Sequence, residues 1–266
     1  MYGMKMHQRS VGCVLLTQLK VTSLNLSTCS GKKSADMHEM ILTEDGSITL
    51  YVPELNEHYH SVHGAIQEAL HIFIHAGFEY FLSTHPEQIS SGKPLYILEA
   101  GFGTGLNAWL TLLRATELKI PVCYYSIEKY PLPLEEISAL NYPALVWATD
   151  PQLFHELHHC DWEADKSLTP YFCLHKCRAD FRDVNFPAQF DLVYFDAFNP
   201  DVQPHLWTSE VFERFHQAMK PDSLLVTYCV KGIVKQALRT VGFSLKRLPG
   251  PPGKREMLRA KKSFAG

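Results

Sequence analysis

The stretch ILEAGFGTGLNAWL, from Ile97 to Leu110, constrains this chain more than any other. LYILEA, from Leu95 to Ala100, reads as an apolar strand, and GLNAWLTLLRAT reads as a helix. Between them the chain must turn sharply. Gly101, Gly103 and Gly105 permit positive φ there and let backbone approach a ligand closely. The dinucleotide fingerprint G-x-G-x-x-G would place its third glycine where Leu106 stands. The pattern is instead acid-x-G-x-G-x-G, with Glu99 as the acid.

Downstream, strands and helices alternate. VCYYSIE, YFCLHKC, FDLVYFDAF and SLLVTYC read as strands. PLEEISAL, PQLFHELHH, SEVFERFHQAM and GIVKQALRTVG read as helices, the last ending at Gly242. Such alternation predicts a parallel sheet covered on both faces. FSLKRL and REMLRA differ, because the short link PGPPGK can join only antiparallel neighbours. The predicted fold class is therefore α/β, a Rossmann-like, mostly parallel sheet with a terminal antiparallel strand. This is the architecture of many class I methyltransferases. Upstream, MILTEDGSITLYV alternates about Asp45-Gly46 as a hairpin does. Ile66, Leu70, Phe73 and Ile74 follow at helical spacing, with Gly77 as the expected stop. The predicted division is an irregular extension over 1–39, a hairpin and helix over 40–92, and the methyltransferase domain over 93–262. Met37 and Met40 offer alternative starts within the first of these, and export is the competing reading of its apolar stretch.

Composition adds two restrictions. Seven cysteines, an odd number without a regular framework, suit free thiols in a reducing compartment, so a cytoplasmic location is expected. No apolar run is long enough to span a membrane. The formal net charge of -3 conceals an asymmetry. From Lys231 onward lie ten of the 25 Lys/Arg residues but one of the 28 acids, Glu256. Such a segment suits either a solvated face or a polyanion.

The spacing of the glycine loop fits S-adenosylmethionine, which brings a carboxylate and an ammonium but no pyrophosphate. Glu99 can attract that ammonium, while the loop Gly101-Phe102-Gly103-Thr104-Gly105 and Asn107 face the rest. Glu128 ends the next strand, where a carboxylate can accept from both ribose hydroxyls; NAD would be served equally well. Asp180 follows another strand and suits either the adenine amino group or a turn cap, with Phe181 beside it to pack on the ring. Asp196 closes a nearly all-apolar, hence central, strand and begins Asp196-Ala-Phe-Asn-Pro. This resembles the acidic or amide-Pro-aromatic loops of amino-group methyltransferases. Methyl transfer to an amine needs the neutral amine, so Asp196 is assigned to orientation first and proton acceptance second. HELHHC and CLHKC invite a zinc reading, but the C-x₃-C spacing is wrong for a knuckle and no metal is expected.

Taken together, Glu99, the glycine loop, Glu128, Asp180 and FDAFNPDVQPHLWTSEVF resemble the MnmC/MnmD-type methyltransferases, which act on the wobble uridine of tRNA. The resemblance runs from about Met40 to Ala260, including DGSITLYVPELNEHYHSVHGAIQEALHIFI and PGKREMLRA. It implies methyl transfer from S-adenosylmethionine to the amine of 5-aminomethyl(-2-thio)uridine at position 34. It implies cofactor contacts at Glu99, Gly101–Gly105, Glu128, Asp180 and Asp196, and the tRNA anticodon stem-loop as partner. Fused members carry an FAD-dependent oxidase module; with Gly266 the last residue, a stand-alone methyltransferase without flavin is expected. The resemblance also makes Lys231, Lys235, Lys254 and Arg255 candidate phosphate contacts, and Tyr59, His60 and Phe198 candidates for the base or cofactor pocket. KGIVKQALRTVG and PGPPGKRE depart from the family pattern. The competing readings are a polyamine-type aminopropyl transferase, a binding protein without activity, and an NAD oxidoreductase, which Leu106 and the terminal hairpin disfavour.

Overall fold

A computed structural model describes residues 38–146 and 150–263; the expected extension over 1–39 lies outside these except for its last two residues. Strands β1 (Glu39–Leu42), β2 (Ile48–Val52) and β3 (Glu57–His58) form a small antiparallel sheet. The Asp45-Gly46 turn joins the first two, with Gly46 at φ 83°. Asp45 holds this turn by accepting from Ser47 N at 3.0 Å.

The main sheet has eight strands in the order β10-β11-β9-β8-β4-β5-β7-β6. Their ranges are β4 (Leu95–Ala100), β5 (Val122–Ile127), β6 (Asp165–Thr169), β7 (Phe172–Cys177), β8 (Phe190–Phe195), β9 (Met219–Thr227), β10 (Phe243–Pro249) and β11 (Glu256–Lys262). Strands β7, β5, β4, β8 and β9 run parallel. The terminal hairpin forms as expected, and β11 inserts antiparallel between β9 and β10. A second antiparallel strand, β6, pairs with β7 at the opposite edge.

Helices cover both faces. Leu106–Leu118 and Pro151–His159 lie on one side, joined by a continuous helical segment built from Ala65–Ala69, Leu70–Glu79 and Tyr80–Thr84. Ser209–Ala218 and Gly232–Thr240 lie on the other. Every residue of β8 is buried, as a strand sandwiched between two helical layers requires. The first core joins Phe73 and Phe78 to Ile97, Trp109, Tyr124 and Tyr194, so the segment before β4 packs directly on the sheet.

Gly77 does not stop the helix, which continues to Thr84 through a ten-residue π-helical stretch. The glycine serves packing instead. A Cβ there would sit 3.1 Å from Val226 and 3.2 Å from Tyr194. Absence of a side chain lets this helix press onto β8 and β9, which places its first turn beside the carboxyl ends of the strands.

Candidate functional site

The carboxyl ends of β4, β5, β7 and β8 open into a cavity of about 790 Å³, a size ordinary for a small-molecule site. Ligands of open α/β sheets bind at this edge. The glycine loop forms its floor, with Gly101, Gly103 and Gly105 at φ 96°, 48° and 70°. A Cβ on Gly101 would meet the Asp196 carbonyl oxygen at 2.6 Å, so backbone packs against backbone there. Gly103 has the Tyr59 ring 3.0 Å from where its Cβ would lie. Gly105 supports the loop from below, against His158, and does not line the cavity.

Phe102, Thr104 and Asn107 also line the cavity. Thr104 Oγ1 and His60 Nε2 are hydrogen bonded at 2.7 Å. Burial pushes His60 down to about 4, so the imidazole is neutral at physiological pH. Glu128, after β5, accepts from Gly103 N at 3.2 Å and Tyr130 N at 2.8 Å. Each of its oxygens keeps a lone pair for a hydroxyl ligand. Asp180 lines the cavity but also caps a 3₁₀ turn by accepting from Arg182 N. The Arg182 and Lys129 side chains bond to it at 2.7–2.9 Å and hold its carboxyl well below the usual range. Phe181 borders the cavity while packing against Phe195 and Phe215.

Glu99 is placed differently from expectation. It is wholly buried beneath the loop and absent from the cavity wall. One oxygen accepts from Ser126 Oγ at 2.6 Å, and burial pushes the carboxyl up to about 8. Its other oxygen and Asn107 Oδ1 are both buried without a partner. The Tyr124 hydroxyl is buried without a partner as well. Asn107 donates to Asp196 Oδ2 at 2.8 Å. Burial and then the charge of Glu68 push Asp196 up to about 7.

The acceptor side is built from distant segments. Tyr59 stands edge-on to Phe198, with ring centroids 4.9 Å apart. The Phe198 carbonyl accepts from Trp207 Nε1 at 2.8 Å, and the Ala197 carbonyl from Tyr228 Oη at 2.8 Å. These bonds fix the loop after Asp196. Among the cationic candidates, only Lys254 reaches the cavity, where it pairs with Glu68. Lys231 pairs with Asp201 and bonds at 2.9 Å to Asn199, which lines the cavity, but does not line it itself. Lys235 and Arg255 lie outside it too. Glu68 and Tyr228 were missed. Helical spacing turns Glu68 away from the face of Ile66, Leu70, Phe73 and Ile74, so its burial had no local signal.

Glu163, His175 and Cys177 place ligand atoms within 4.8 Å of one another, away from the cavity. Burial pushes the Cys177 thiol up to about 12. His175 bonds instead to Asp165 at 2.8 Å.

The comparisons agree with this geometry. A family model described as S-adenosyl-L-methionine-dependent methyltransferase matches residues 150–263. The bifunctional protein MnmC of tRNA 5-methylaminomethyl-2-thiouridine biosynthesis from Azoarcus sp. is 30% identical over 232 residues, covering 82% of this chain and 34% of that protein. Its counterpart from Polaromonas naphthalenivorans is 28% identical, covering 81% and 34%. The chain thus spans about one third of the length of these relatives. The crystal structure of MnmC2 from Aquifex aeolicus superposes with a TM-score of 0.65 at 26% identity, covering 88% of this chain and 72% of that one. Spermidine synthase from Thermotoga maritima, at 16% identity and a TM-score of 0.51, shares the fold. The strand order, the glycine loop and these likenesses converge: the chain carries an S-adenosylmethionine-dependent methyltransferase domain, similar to the methyltransferase part of the MnmC proteins.

Proposed function

We propose that the domain methylates the amine of 5-aminomethyl(-2-thio)uridine at position 34 of tRNA, giving the 5-methylaminomethyl form. One observation carries this reading: a single cavity joins the glycine loop to Asp196, Phe198 and Tyr59. A cofactor half and a half suited to a flat base thus share one space. S-adenosylmethionine would supply an electrophilic methyl group on a sulfonium. The residues fit it, since Gly101 and Gly103 line the cavity without side chains to fill it, Glu128 offers acceptors to a diol, and Phe181 offers an apolar edge.

In this reading Asp196 orients the acceptor amine through its free carboxylate oxygen, while Asn107 holds the other. The amine must be neutral to attack, and the proton it sheds can pass to Asp196, whose elevated pKa suits a proton acceptor near neutrality. Tyr59 and Phe198, packed edge to face, would form one aromatic wall beside the base, and His60, being neutral, would hydrogen-bond without adding charge. An anticodon-loop base is poorly stacked, so drawing it into the cavity costs little. The test is incubation with labelled S-adenosylmethionine and tRNA carrying the aminomethyl group, followed by nucleoside analysis. Methyl incorporation at position 34 supports the reading; none there refutes it.

A further inference from the structure

Lys254 sits at the tip of the β10–β11 hairpin, where sequence suggests a solvent-facing cation. It turns inward instead. Its ammonium pairs with Glu68 and stands 4.1 Å from the centroid of the Tyr228 ring. The Glu68 carboxylate is buried, and its other oxygen accepts from Ser61 N at 2.8 Å. Tyr228 is fixed by its bond to the Ala197 carbonyl, one residue after Asp196. All three side chains and Asp196 line the same cavity. A carboxylate at one side and an aromatic face at the other make a site for an ammonium group. Both walls are anchored by bonds that do not involve Lys254.

The occupant of this site ends in –CH₂–NH₃⁺. So does an aminomethyl group on a uracil ring. The Lys254 side chain is 32% exposed and flexible, and it can leave; Glu68 is buried and cannot follow it. We propose that Glu68 and the face of Tyr228 form the subsite that captures the acceptor's ammonium, and that Lys254 fills it as an internal stand-in until the substrate displaces it. This rests on the reading of the domain as an amine methyltransferase. The step assigned to the subsite is binding alone; in the transfer that follows, the ammonium would give one proton to Asp196, and the freed lone pair would take the methyl carbon as its bond to the sulfonium sulfur breaks and a neutral thioether leaves. Displaced, Lys254 becomes free at the cavity mouth to meet a tRNA phosphate.

Two measurements test the proposal. In Lys254→Ala the subsite is emptied, and ethylammonium should refill it. The melting temperature should rise by about 2–4 °C, against no rise with tetramethylammonium at equal ionic strength and none in the Glu68→Gln/Lys254→Ala double variant. Equal responses to both cations, or none, would overturn the ammonium site. The second measurement compares binding of aminomethyl-bearing and unmodified tRNA. Wild type should prefer the former, and Glu68→Gln should lose at least tenfold of that preference, with affinity for S-adenosylmethionine unchanged. A preference retained in Glu68→Gln would overturn the acceptor role even if the ethylammonium response is seen. If wild type methylates no tRNA while ethylammonium still rescues Lys254→Ala, the tRNA reading has failed and the ammonium site stands.

Discussion

Replacing Glu99 with glutamine should make stability less dependent on pH. Glu99 is wholly buried, and its carboxyl is pushed from 4.5 up to about 8, chiefly by burial. The unfolded chain releases this proton near 4.5, whereas the folded chain keeps it to about 8. The unfolded state therefore binds fewer protons between these values, and stability contributed by this group falls as pH rises through that window. At about 1.4 kcal/mol per tenfold change, the full displacement sets a ceiling of about 5 kcal/mol. Between pH 5 and pH 8 the expected loss is about 3 kcal/mol, allowing for relaxation of the site. Glutamine resembles the protonated acid: its oxygen can accept from Ser126, and it carries no charge at any pH. Glu99→Gln should lack the loss, so its stability relative to wild type should improve by about 3 kcal/mol from pH 5 to pH 8. Urea unfolding of the cofactor-free proteins at several pH values measures this. Any misfit of the amide adds an offset independent of pH, so the slope is the diagnostic. A difference that stays constant across the window would show that Glu99 is ionised in the folded protein, and a neutral buried Glu99 would have to be abandoned.

Two further substitutions probe the neighbouring groups. Asp196→Asn should lower methyl transfer by about 10²–10⁴-fold with cofactor affinity retained. The wild-type rate should fall as pH drops through about 7, where Asp196 takes up its proton; a pH-rate profile unchanged in Asp196→Asn would contradict the assignment. Gly101→Ala places a Cβ against the Asp196 carbonyl at a φ of 96°. Left-handed strain and a backbone clash together should cost about 2–4 kcal/mol in urea unfolding and weaken cofactor binding.

Most of the sheet was legible in the sequence, because buried parallel strands are apolar runs and the helices between them carry a 3.6-residue period. The glycine loop was legible because its conformation demands glycine. β6 was not, since DKSLT is polar, as an edge strand with three exposed residues can afford to be. Gly77 was misread because a glycine that admits a neighbouring strand looks the same in sequence as one that ends a helix. Asp196 and Glu128 were found by their places at strand ends. The inward course of Lys254 had no local signal: its partner Glu68 lies 186 residues away. Glu99 was assigned the wrong depth for the same reason, since burial at a strand end depends on what the following loop does.

The charge asymmetry changes most when read on the structure. Ten basic residues from Lys231 onward suited either a solvated face or a polyanion, and six of them have internal partners. Lys231, Lys254 and Lys261 pair with Asp201, Glu68 and Asp222. Arg247 lies 3.3 Å from Glu256, Lys262 bonds to the carbonyls of His216 and Met219, and Arg259 lies over the Tyr80 ring and bonds to the Ala76 carbonyl. Among the described residues, Lys235, Arg239, Lys246 and Arg255 lack such partners. Cations held by internal partners release few counterions on binding, so with unmodified tRNA, which leaves Lys254 on Glu68, these four should carry the salt dependence contributed by this segment. At about 0.7–0.9 per phosphate contact, they would account for a slope of no more than about 3–4 in log K against log salt. Replacing all four by alanine should remove that much of the slope for tRNA binding. Replacing Arg247, Lys261 and Lys262 should leave it unchanged. An equal loss in both sets would mean that the internal pairs open on binding, and that counting partners in the free protein does not identify the surface.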